Sequence, residues 1–550
     1  MSQSAAARLL VECLENEGVE FVFGIPGEEN IRLVDALNGS SIRFILARSE
    51  QGASFMADMY GRVTGRAGVC AATLGPGAIN LLLGVADANS DSTPLVAITA
   101  QVGLDRIHKE THQFVDLPAM FRPVSKWADT VLTPGAIPEM VRCAFKIAQT
   151  ERPGATYLAV PEDVEAMPAP EGARPLPVNR VRAEAPSPSQ IARAAEALAA
   201  ARRPIVLAGH GAARAGAQAA LVRFSERLGI PVATTFHGKG VMPDDHPNAL
   251  GAIGFMVHDY TNFGFDRADL IVSVGFELQE MPPMRINPRG DKAIIHIHRF
   301  PAAVDACYNV SVGIEGDIPA ALDNLTAAVG KTFEVNPDAS AIRGMLVKEL
   351  EGGRDDTSFP VKPARLVSDI RRAMGRDDIV LADTGAIKMW MARLYPTYAP
   401  NTCLISNGLA TMAFALPGAV GVKLAEPERK VLAVMGDGSF MMNSQEIETA
   451  IRVGAPFVIL IWTDGSYGLI KWKMDLAMHR HSHVDFTNPD FVAYAESFGA
   501  RGYRITAADE LLPVLREALE GDGVSVIACP VDYRENDALT DRLGQLTEPI

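Results

Sequence analysis

Cysteine is scarce in this sequence, and its copies lie far apart. Six cysteines occur among 550 residues, and no two of them form a C-x-x-C pair. A disulfide framework or a zinc site needs paired or closely spaced cysteines, so neither is expected. The pattern indicates free thiols in a reducing compartment, and we expect a cytoplasmic protein.

Long apolar runs and clusters of like charge are missing as well. No stretch of about 18 uncharged apolar residues occurs, so we expect no membrane span. The first residues lack the basic start and apolar core of a signal peptide. Aspartate and glutamate total 66 against 51 lysines and arginines, which gives a net charge of −15. Such a chain repels nucleic-acid phosphates, so we expect no nucleic-acid partner.

The length and the alternation of short apolar strands with helical patterns indicate several α/β domains. A chain of 550 residues is too long for one hydrophobic core. Strand, turn, helix and strand follow one another repeatedly, which is typical of doubly wound parallel sheets. Proline-rich and polar stretches separate three such regions. We predict domains at 1–165, 189–335 and 364–550, with linkers at 166–188 and 336–363.

The strongest local pattern is a pair of apolar strands, each followed by an aspartate. The strand at 430–435 runs into Gly436-Asp437-Gly438, and the strand at 457–462 ends just before Asp464. Neighbouring parallel strands end at the same edge of a sheet, so we expect the two aspartates to lie close together. Two carboxylates at that edge suit a hard divalent cation, which prefers oxygen ligands.

The residues beside Asp437 add the features of a phosphate site. Gly436 and Gly438 let the backbone approach a phosphate and leave N–H groups available, and Ser439 can donate a hydroxyl hydrogen bond. The alternative is a tight turn, which is what an isolated Gly-Asp-Gly triplet usually is. The triplet at 521–523 has no matching second aspartate, and we interpret it as a plain turn.

With its second aspartate turn one helix and one strand later, the Gly-Asp-Gly pattern resembles the diphosphate–magnesium motif of thiamine diphosphate enzymes. Over nearly the whole chain the sequence resembles the acetolactate synthases, particularly the flavin-free catabolic type. That resemblance implies three doubly wound α/β domains, namely a pyrimidine-binding, a central and a diphosphate-binding domain. The stretches that carry it are 22–27, 61–65, 75–77, 405–412 and 489–500.

The resemblance also implies roles for residues of the first domain. Glu50 matches the glutamate that hydrogen-bonds the aminopyrimidine ring of the cofactor, where a carboxyl group supports proton transfer. Gln113 matches a glutamine that faces the reaction centre and can hydrogen-bond the acceptor keto acid. Gly27 and Gly77 match turns whose backbone borders the cofactor. A glutamate at the start of a helix is the plainer interpretation of Glu50.

For the third domain the resemblance implies a metal site and a set of cofactor contacts. The magnesium ligands would be the carboxylates of Asp437 and Asp464 and the backbone carbonyl of Ser466. Met412 matches the apolar residue under the cofactor, although core packing is the default role of any methionine. The implied cofactor-binding residues here are Ala410, Met412, Gly436, Asp437, Gly438, Ser439, Tyr467 and Gly468.

Several departures bear on flavin and on the substrate. Residues 275–283 contain no arginine, whereas flavin-containing relatives have an arginine-rich stretch there, and 209–214 misses the third glycine of a dinucleotide fingerprint. We therefore expect no FAD. In contrast, 471–474 resembles the flavin-containing branch, where a tryptophan shapes the acceptor pocket.

The implied reaction is decarboxylation of pyruvate followed by carboligation to a second 2-keto acid, which gives 2-acetolactate and carbon dioxide. The alternatives are another thiamine diphosphate enzyme (a 2-keto acid decarboxylase, an aldehyde carboligase or lyase, or an acyl-transfer enzyme) and a non-catalytic cofactor-binding protein. Members of the family form their active sites between two chains. The resemblance therefore implies a homo-oligomer, either a dimer or a dimer of dimers.

Overall fold

The computed structural model describes residues 5–179, 181–254, 261–334 and 337–536. This part of the chain contains three six-stranded sheets, and every strand pairing within them is parallel. The strands are β1 (Phe21–Gly24), β2 (Arg43–Leu46), β3 (Gly68–Ala72), β4 (Leu95–Gln101), β5 (Trp127–Thr130), β6 (Ala155–Pro161), β7 (Pro204–Ala208), β8 (Val232–Thr234), β9 (Ala249–Ala252), β10 (Leu270–Val274), β11 (Ala293–His298), β12 (Val310–Glu315), β13 (Ile379–Ala382), β14 (Cys403–Ile405), β15 (Val431–Gly436), β16 (Val458–Thr463), β17 (Arg501–Arg504) and β18 (Ser525–Pro530).

Helices connect the strands and cover the sheets. Those of the described residues are α1 (Ala6–Asn16), α2 (Ile31–Leu37), α3 (Glu50–Thr64), α4 (Pro76–Ser90), α5 (Leu117–Phe121), α6 (Ile137–Gln149), α7 (Glu162–Ala166), α8 (Pro188–Ala200), α9 (His210–Arg214), α10 (Gln218–Leu228), α11 (Asn262–Asp266), α12 (Ile318–Ala328), α13 (Pro337–Arg354), α14 (Pro363–Ala373), α15 (Ala386–Leu394), α16 (Ala415–Ala425), α17 (Asp437–Asn443), α18 (Glu446–Val453), α19 (Gly468–Met478), α20 (Phe491–Ser497) and α21 (Leu511–Glu520).

The first and third sheets share one topology. Their strand orders are β2-β1-β3-β4-β6-β5 and β14-β13-β15-β16-β18-β17, so the third repeats the first strand for strand. The middle sheet has the order β12-β11-β10-β7-β8-β9, which is the doubly wound arrangement of dinucleotide-binding domains. The predicted fold class, three doubly wound parallel sheets, is confirmed.

The central strands are buried on both faces because helices cover the sheets on each side. Every residue of β3, β4 and β6 is buried, as expected for parallel strands between two helical layers. The first and third units also share one core, in which α3 packs against α16. Gly421 of α16 permits this close packing, because a Cβ there would lie 2.1 Å from the backbone oxygen of Met56.

The predicted linkers differ in structure. No helix or strand lies in the described residues between α7 and α8, which agrees with the proline-rich composition of that segment. The segment 336–363, predicted as a linker, contains the 18-residue helix α13. Its glycines and polar residues interrupt the apolar periodicity by which a helix is predicted. The exact domain boundaries stay predictions.

Two further expectations concern helices and thiols. Within the ranges that the structure describes, no helix is both long and apolar enough to cross a membrane. The six cysteines are all free thiols, four of them buried.

Candidate active site

Two neighbouring strands of the third sheet deliver the predicted aspartates to one edge. Strands β15 and β16 pair in parallel, with Gly436 opposite Trp462. Asp437 follows β15 as the first residue of α17, and Asp464 follows β16. The backbone N–H groups of Asp464 and Gly465 donate to Asp437 Oδ2 at 3.1 and 2.8 Å. These bonds hold the turn after β16 against the turn after β15.

Further hydrogen bonds fix both carboxylates. The Gly438 N–H donates to Asp437 Oδ1 at 2.8 Å, and Asn488 Nδ2 donates to Asp437 Oδ2 at 2.8 Å. The Ser466 hydroxyl donates to Asp464 Oδ2 at 2.7 Å. Sequence reasoning missed Asn488, because it reaches the site from a loop beyond α19 and belongs to no strand-end pattern.

The two acids have different surroundings. Asp437 is almost fully buried, whereas Asp464 faces the open side of the site. The protein atoms around the Asp464 carboxyl and the negative charge of Asp437 together raise the pKa of Asp464 to about 6. A cation between them would remove this repulsion, since an opposite charge favours the ionised carboxylate.

The donor set fits a hard cation only in part. Carboxylate and backbone carbonyl oxygens are the ligands that magnesium prefers, and the two aspartates supply carboxylates. No group of three or more histidine, cysteine, aspartate or glutamate side chains is arranged to hold a metal in the described part of the chain. A magnesium ion at Asp437 and Asp464 would therefore complete its coordination with backbone, water or ligand oxygens.

A cleft of about 130 Å³ opens beside the two aspartates. Glycines keep its wall open, because a Cβ on Gly438 would lie 2.9 Å from the Tyr467 ring and one on Gly468 would lie 2.7 Å from Asp464 Oδ2, so either addition would displace the neighbouring side chain. The predicted residues that line this cleft are Met412, Gly436, Asp437, Gly438, Ser439, Asp464, Ser466, Tyr467 and Gly468.

Asp383 lies directly before Thr384, which lines the cleft, and was not among the predicted site residues. It follows β13 and is fully buried. It accepts hydrogen bonds from the Thr384 and Ala413 N–H groups at 2.6 and 2.9 Å, and burial raises its pKa to about 7. Ser439 Oγ also accepts from the Ala413 N–H, at 2.8 Å. The signal that could have found Asp383 is that β13, like β15 and β16, ends in an aspartate.

The predicted residues of the first unit follow three adjacent strands. Gly27 comes after β1, Glu50 after β2 and Gly77 after β3. A Cβ on Gly77 would lie 3.3 Å from Glu50 Oε1, so these two residues are direct neighbours. Asn80 Nδ2 donates to Glu50 Oε2 at 3.1 Å. Asn80 was also missed, although it lies one turn after Gly77 on α4.

The start of helix α3 is held by a side chain of the third unit. Ser49 caps the helix, with its Oγ accepting from the Gly52 N–H at 3.0 Å. The buried Glu446 of α18 accepts from the N–H groups of Arg48 and Ser49 at 3.1 and 2.9 Å. These contacts fix where Glu50 begins the helix.

The remaining predicted residues lie on loops. Gln113 is exposed with φ +55°, and its backbone oxygen lies 2.9 Å from the position of a Cβ on Gly75. It therefore borders the turn that precedes Gly77. Ala410 is exposed with φ +55° and lies two residues before Met412.

Glu50 is not among the described residues that line the cleft beside Asp437. The residues that line the cleft lie between 384 and 533, so this wall comes from the third unit alone. Glu50, Gly27 and Gly77 lie at the edge of the first sheet. The predicted residues therefore form two groups, one around Glu50 in the first unit and one around Asp437 in the third, which we name the Glu50 half-site and the Asp437 half-site.

Comparison with known families covers all three units. The model of the thiamine pyrophosphate enzyme N-terminal TPP binding domain matches residues 4–120. The central domain model matches 191–325, and the C-terminal TPP binding domain model matches 383–529. Thiamine pyrophosphate is the same compound as thiamine diphosphate. Each matched range contains one of the three sheets or most of it.

Full-length relatives give the same result. The chain is 34% identical to an acetolactate synthase of Bacillus subtilis over 99% of its length and 97% of the relative's. It is 36% identical to a catabolic acetolactate synthase of Raoultella terrigena, over 98% and 97%. It is 35% identical to a probable acetolactate synthase large subunit of Methanococcus aeolicus, over 96% and 92%. The chain therefore belongs to the thiamine diphosphate-dependent enzymes, within the acetolactate synthase family.

Proposed function

We propose that this protein is a magnesium-dependent acetolactate synthase that decarboxylates pyruvate and joins the product to a second 2-keto acid, giving 2-acetolactate and carbon dioxide. The observation that carries the proposal is the pair of acids at the ends of β15 and β16, beside a glycine-bordered cleft. The reaction class follows from the membership of the chain in the acetolactate synthase family.

The third unit would hold the diphosphate and the cation. Asp437, Asp464 and the Ser466 carbonyl are the proposed magnesium ligands, because they offer hard oxygen donors at one sheet edge. Gly436, Gly438, Ser439, Tyr467 and Gly468 border the space for the diphosphate. Thiamine diphosphate, when bound, supplies the electron sink that stabilises the carbanion left when carbon dioxide departs.

The first unit would supply the proton chemistry and the acceptor contact. The Glu50 carboxyl would hold a proton at the aminopyrimidine N1′ atom, and Asn80 would orient that carboxyl through its hydrogen bond. Gln113 would hydrogen-bond the acceptor keto acid. Met412 would pack under the cofactor from the other half-site.

A second copy of the chain would complete each site. In one chain the described residues that line the cleft beside Asp437 all belong to the third unit, and the proposed reaction needs Glu50 as well. Large apolar side chains are exposed next to each half-site, as a subunit interface requires. They are Ile79 and Leu83 on α4, and Met441 and Met442 on α17.

The middle unit supports the expectation that no flavin is bound. The Glu280 carboxylate accepts from the His210 N–H at 3.1 Å, directly after β7, and from the Glu277 N–H at 3.0 Å. The turn after the first strand is where a doubly wound domain binds a dinucleotide phosphate. Here an acidic side chain of the protein itself lies against that turn.

The free thiols agree with the proposed cytoplasmic location.

The test is incubation with pyruvate, magnesium and thiamine diphosphate, without flavin, followed by identification of the product. We expect 2-acetolactate and carbon dioxide in a one-to-one ratio. Acetaldehyde as the main product would assign a simple decarboxylase instead. Absence of carbon dioxide release from every 2-keto acid tried would indicate a non-catalytic cofactor-binding protein.

A further inference from the structure

The loop at 406–413, between β14 and α16, has a backbone that its own sequence does not favour. Ala410 and Ala413 have φ values of +55° and +69°, a left-handed conformation that is unfavourable for alanine. Such residues persist only where the surroundings fix them. The same loop carries Met412 into the cleft. Its shape therefore depends on contacts from outside.

Asp87 of α4 ties the two ends of the loop together. Its Oδ1 accepts hydrogen bonds from the hydroxyls of Ser406, at 2.6 Å, and Thr411, at 2.8 Å. Ser406 Oγ in turn accepts from the Thr411 N–H at 2.8 Å. All three residues are buried, so water cannot replace these bonds. A carboxylate acceptor makes them stronger than neutral hydrogen bonds.

Asp91, at the end of the same helix, binds the backbone of the loop. Its two oxygens accept from the N–H groups of Asn407, at 3.0 Å, and Gly408, at 2.6 Å. A Cβ on Gly408 would lie 2.8 Å from Asp91 Oδ1, so glycine permits this approach. Arg62 of α3 donates to Asp91 Oδ2 at 3.2 Å and to the Ile405 carbonyl at 2.9 Å. The first unit therefore contacts both the start of the loop and the strand before it.

The far end of the loop is anchored inside the third unit. The Ala413 N–H donates to Asp383 and Ser439, and Asn443 Nδ2 donates to the Ala413 carbonyl at 3.0 Å. The residues on either side of Met412 are therefore both held: Thr411 by Asp87 of α4, and Ala413 by Asp383 and Ser439. Removal of either anchor would free the intervening residues.

We propose that Asp87 and Asp91 are positioning residues that hold loop 406–413 in the shape which places Met412 at the cofactor. This inference rests on the proposed function, since it concerns cofactor affinity at the same site. Neither aspartate lines the cleft, so each acts through the loop. Helix α4 also carries Gly77 and Asn80 beside Glu50, which places one helix against both half-sites of the chain.

The first test compares thiamine diphosphate binding to Asp87→Ala, Asp87→Asn and unmodified protein by calorimetry with magnesium present. A lost hydrogen bond to a charged group is worth about 1.5–3 kcal/mol, so we expect the Kd of Asp87→Ala to rise about 10- to 100-fold. At saturating cofactor the KM for pyruvate should stay unchanged. Asp87→Asn keeps an oxygen acceptor for the two hydroxyls and should restore most of the affinity.

Two controls separate positioning from general destabilisation. Asp369 is equally buried and accepts from Arg365 and Arg372 on α14, away from the loop, so Asp369→Asn should leave the Kd unchanged. Thr411→Val removes the hydroxyl that donates to Asp87 from the loop. If Asp87→Ala does not fold, the cofactor affinity of Thr411→Val tests the same contact. In a double-mutant cycle, its effect should be much smaller in the Asp87→Ala background, because the two residues share one interaction.

Hydrogen exchange of cofactor-free protein gives a readout without substrate. The Asn407 and Gly408 amides should exchange faster in Asp91→Ala, while peptides of β15 and β16 stay protected. Unchanged cofactor affinity and unchanged loop exchange in the Asp87 and Asp91 variants would overturn the inference. If the unmodified protein bound no thiamine diphosphate, the proposed function itself would fail, which is a different result.

Discussion

At the scale of single residues, buried acids are the most informative groups in this protein. Most of them have several donors, as Asp437 and Asp91 do. Glu165 is an exception, because among the described residues its Oε2 accepts only from the Leu33 N–H at 3.2 Å and its buried Oε1 has no partner. Burial raises the pKa of Glu165 to about 8. A buried acid with so few hydrogen bonds lowers the stability of the fold at any pH where it must ionise.

The sign of the pH dependence follows from this pKa. In the folded protein Glu165 keeps its proton up to about pH 8, whereas in the unfolded chain it loses the proton near the ordinary value of 4.5. Its contribution to stability therefore falls as the pH rises between these two values. We expect Glu165→Gln, which cannot ionise, to raise the free energy of unfolding at pH 8 on the order of 1–3 kcal/mol. Below pH 4.5 the two proteins should unfold alike.

Thermal unfolding between pH 4 and pH 9 measures this effect. Glu171→Gln, at an exposed position of the following segment, is the matched control and should behave as unmodified protein at every pH. A Glu165→Gln protein that melts below the unmodified protein at pH 8 would show that the carboxyl is stabilised in its ionised form.

At the scale of elements, the contact between α3 and α16 joins the first and third units. Gly418 and Gly421 face α3, where Cβ atoms would lie 2.6 Å from the Met59 side chain and 2.1 Å from the Met56 backbone oxygen. The Met59 side chain can move, but the Met56 backbone cannot move without shifting α3. The start of α3 carries Glu50, so the packing of this helix pair also determines the position of a site residue.

We expect Gly421→Ala to separate the two helices and to lower the free energy of unfolding by about 1–3 kcal/mol, as overpacking usually does. Gly344 of α13 provides the control, because a Cβ there would have no neighbour within 4 Å in the described part of the chain. Gly344→Ala should be neutral or stabilising by about 0.5–1 kcal/mol, since alanine favours a helix. Urea unfolding of both variants measures the difference. Equal stability of the two would mean that α16 tolerates displacement from α3.

Elements with strong local patterns were predictable, and contacts between distant elements were not. Strands β15 and β16 are apolar runs that end at glycine and aspartate, so their pairing and the approach of Asp437 to Asp464 followed from the general rule for parallel sheets. Helix α13 was not predicted, because glycine and charged residues interrupt its pattern. The contacts of Asp87 with Ser406 and Thr411 span more than 300 residues, and no local pattern encodes such a pairing.

At the scale of the whole molecule, the arrangement of the half-sites is the central property. Because the first and third sheets have the same strand order, equivalent edges carry Glu50 in one unit and Asp437 in the other. Within one chain, Glu50 is not among the described residues that line the cleft beside Asp437. The proposed twofold dimer would pair each edge with the opposite edge of its partner and so create two equivalent sites.

Mixing two inactive variants tests this arrangement. Glu50→Gln should lower turnover by a factor on the order of 10²–10⁴, and Asp437→Ala should abolish magnesium-dependent cofactor binding. If the two proteins are unfolded together and refolded as a mixture, half of the dimers will be hybrids, each with one intact site. We expect about a quarter of the unmodified activity to return. Sites formed within single chains would give no recovery.

The bonds from α4 to loop 406–413 have a consequence for chimeric proteins. A third unit taken from another member of the family brings its own loop, which packs against the first unit of that protein. Grafted onto this chain, it would meet Asp87 and Asp91 with the wrong partners unless it has hydroxyls and a glycine where Ser406, Thr411 and Gly408 stand. Domain shuffling should therefore succeed when the first and third units are transferred as a matched pair.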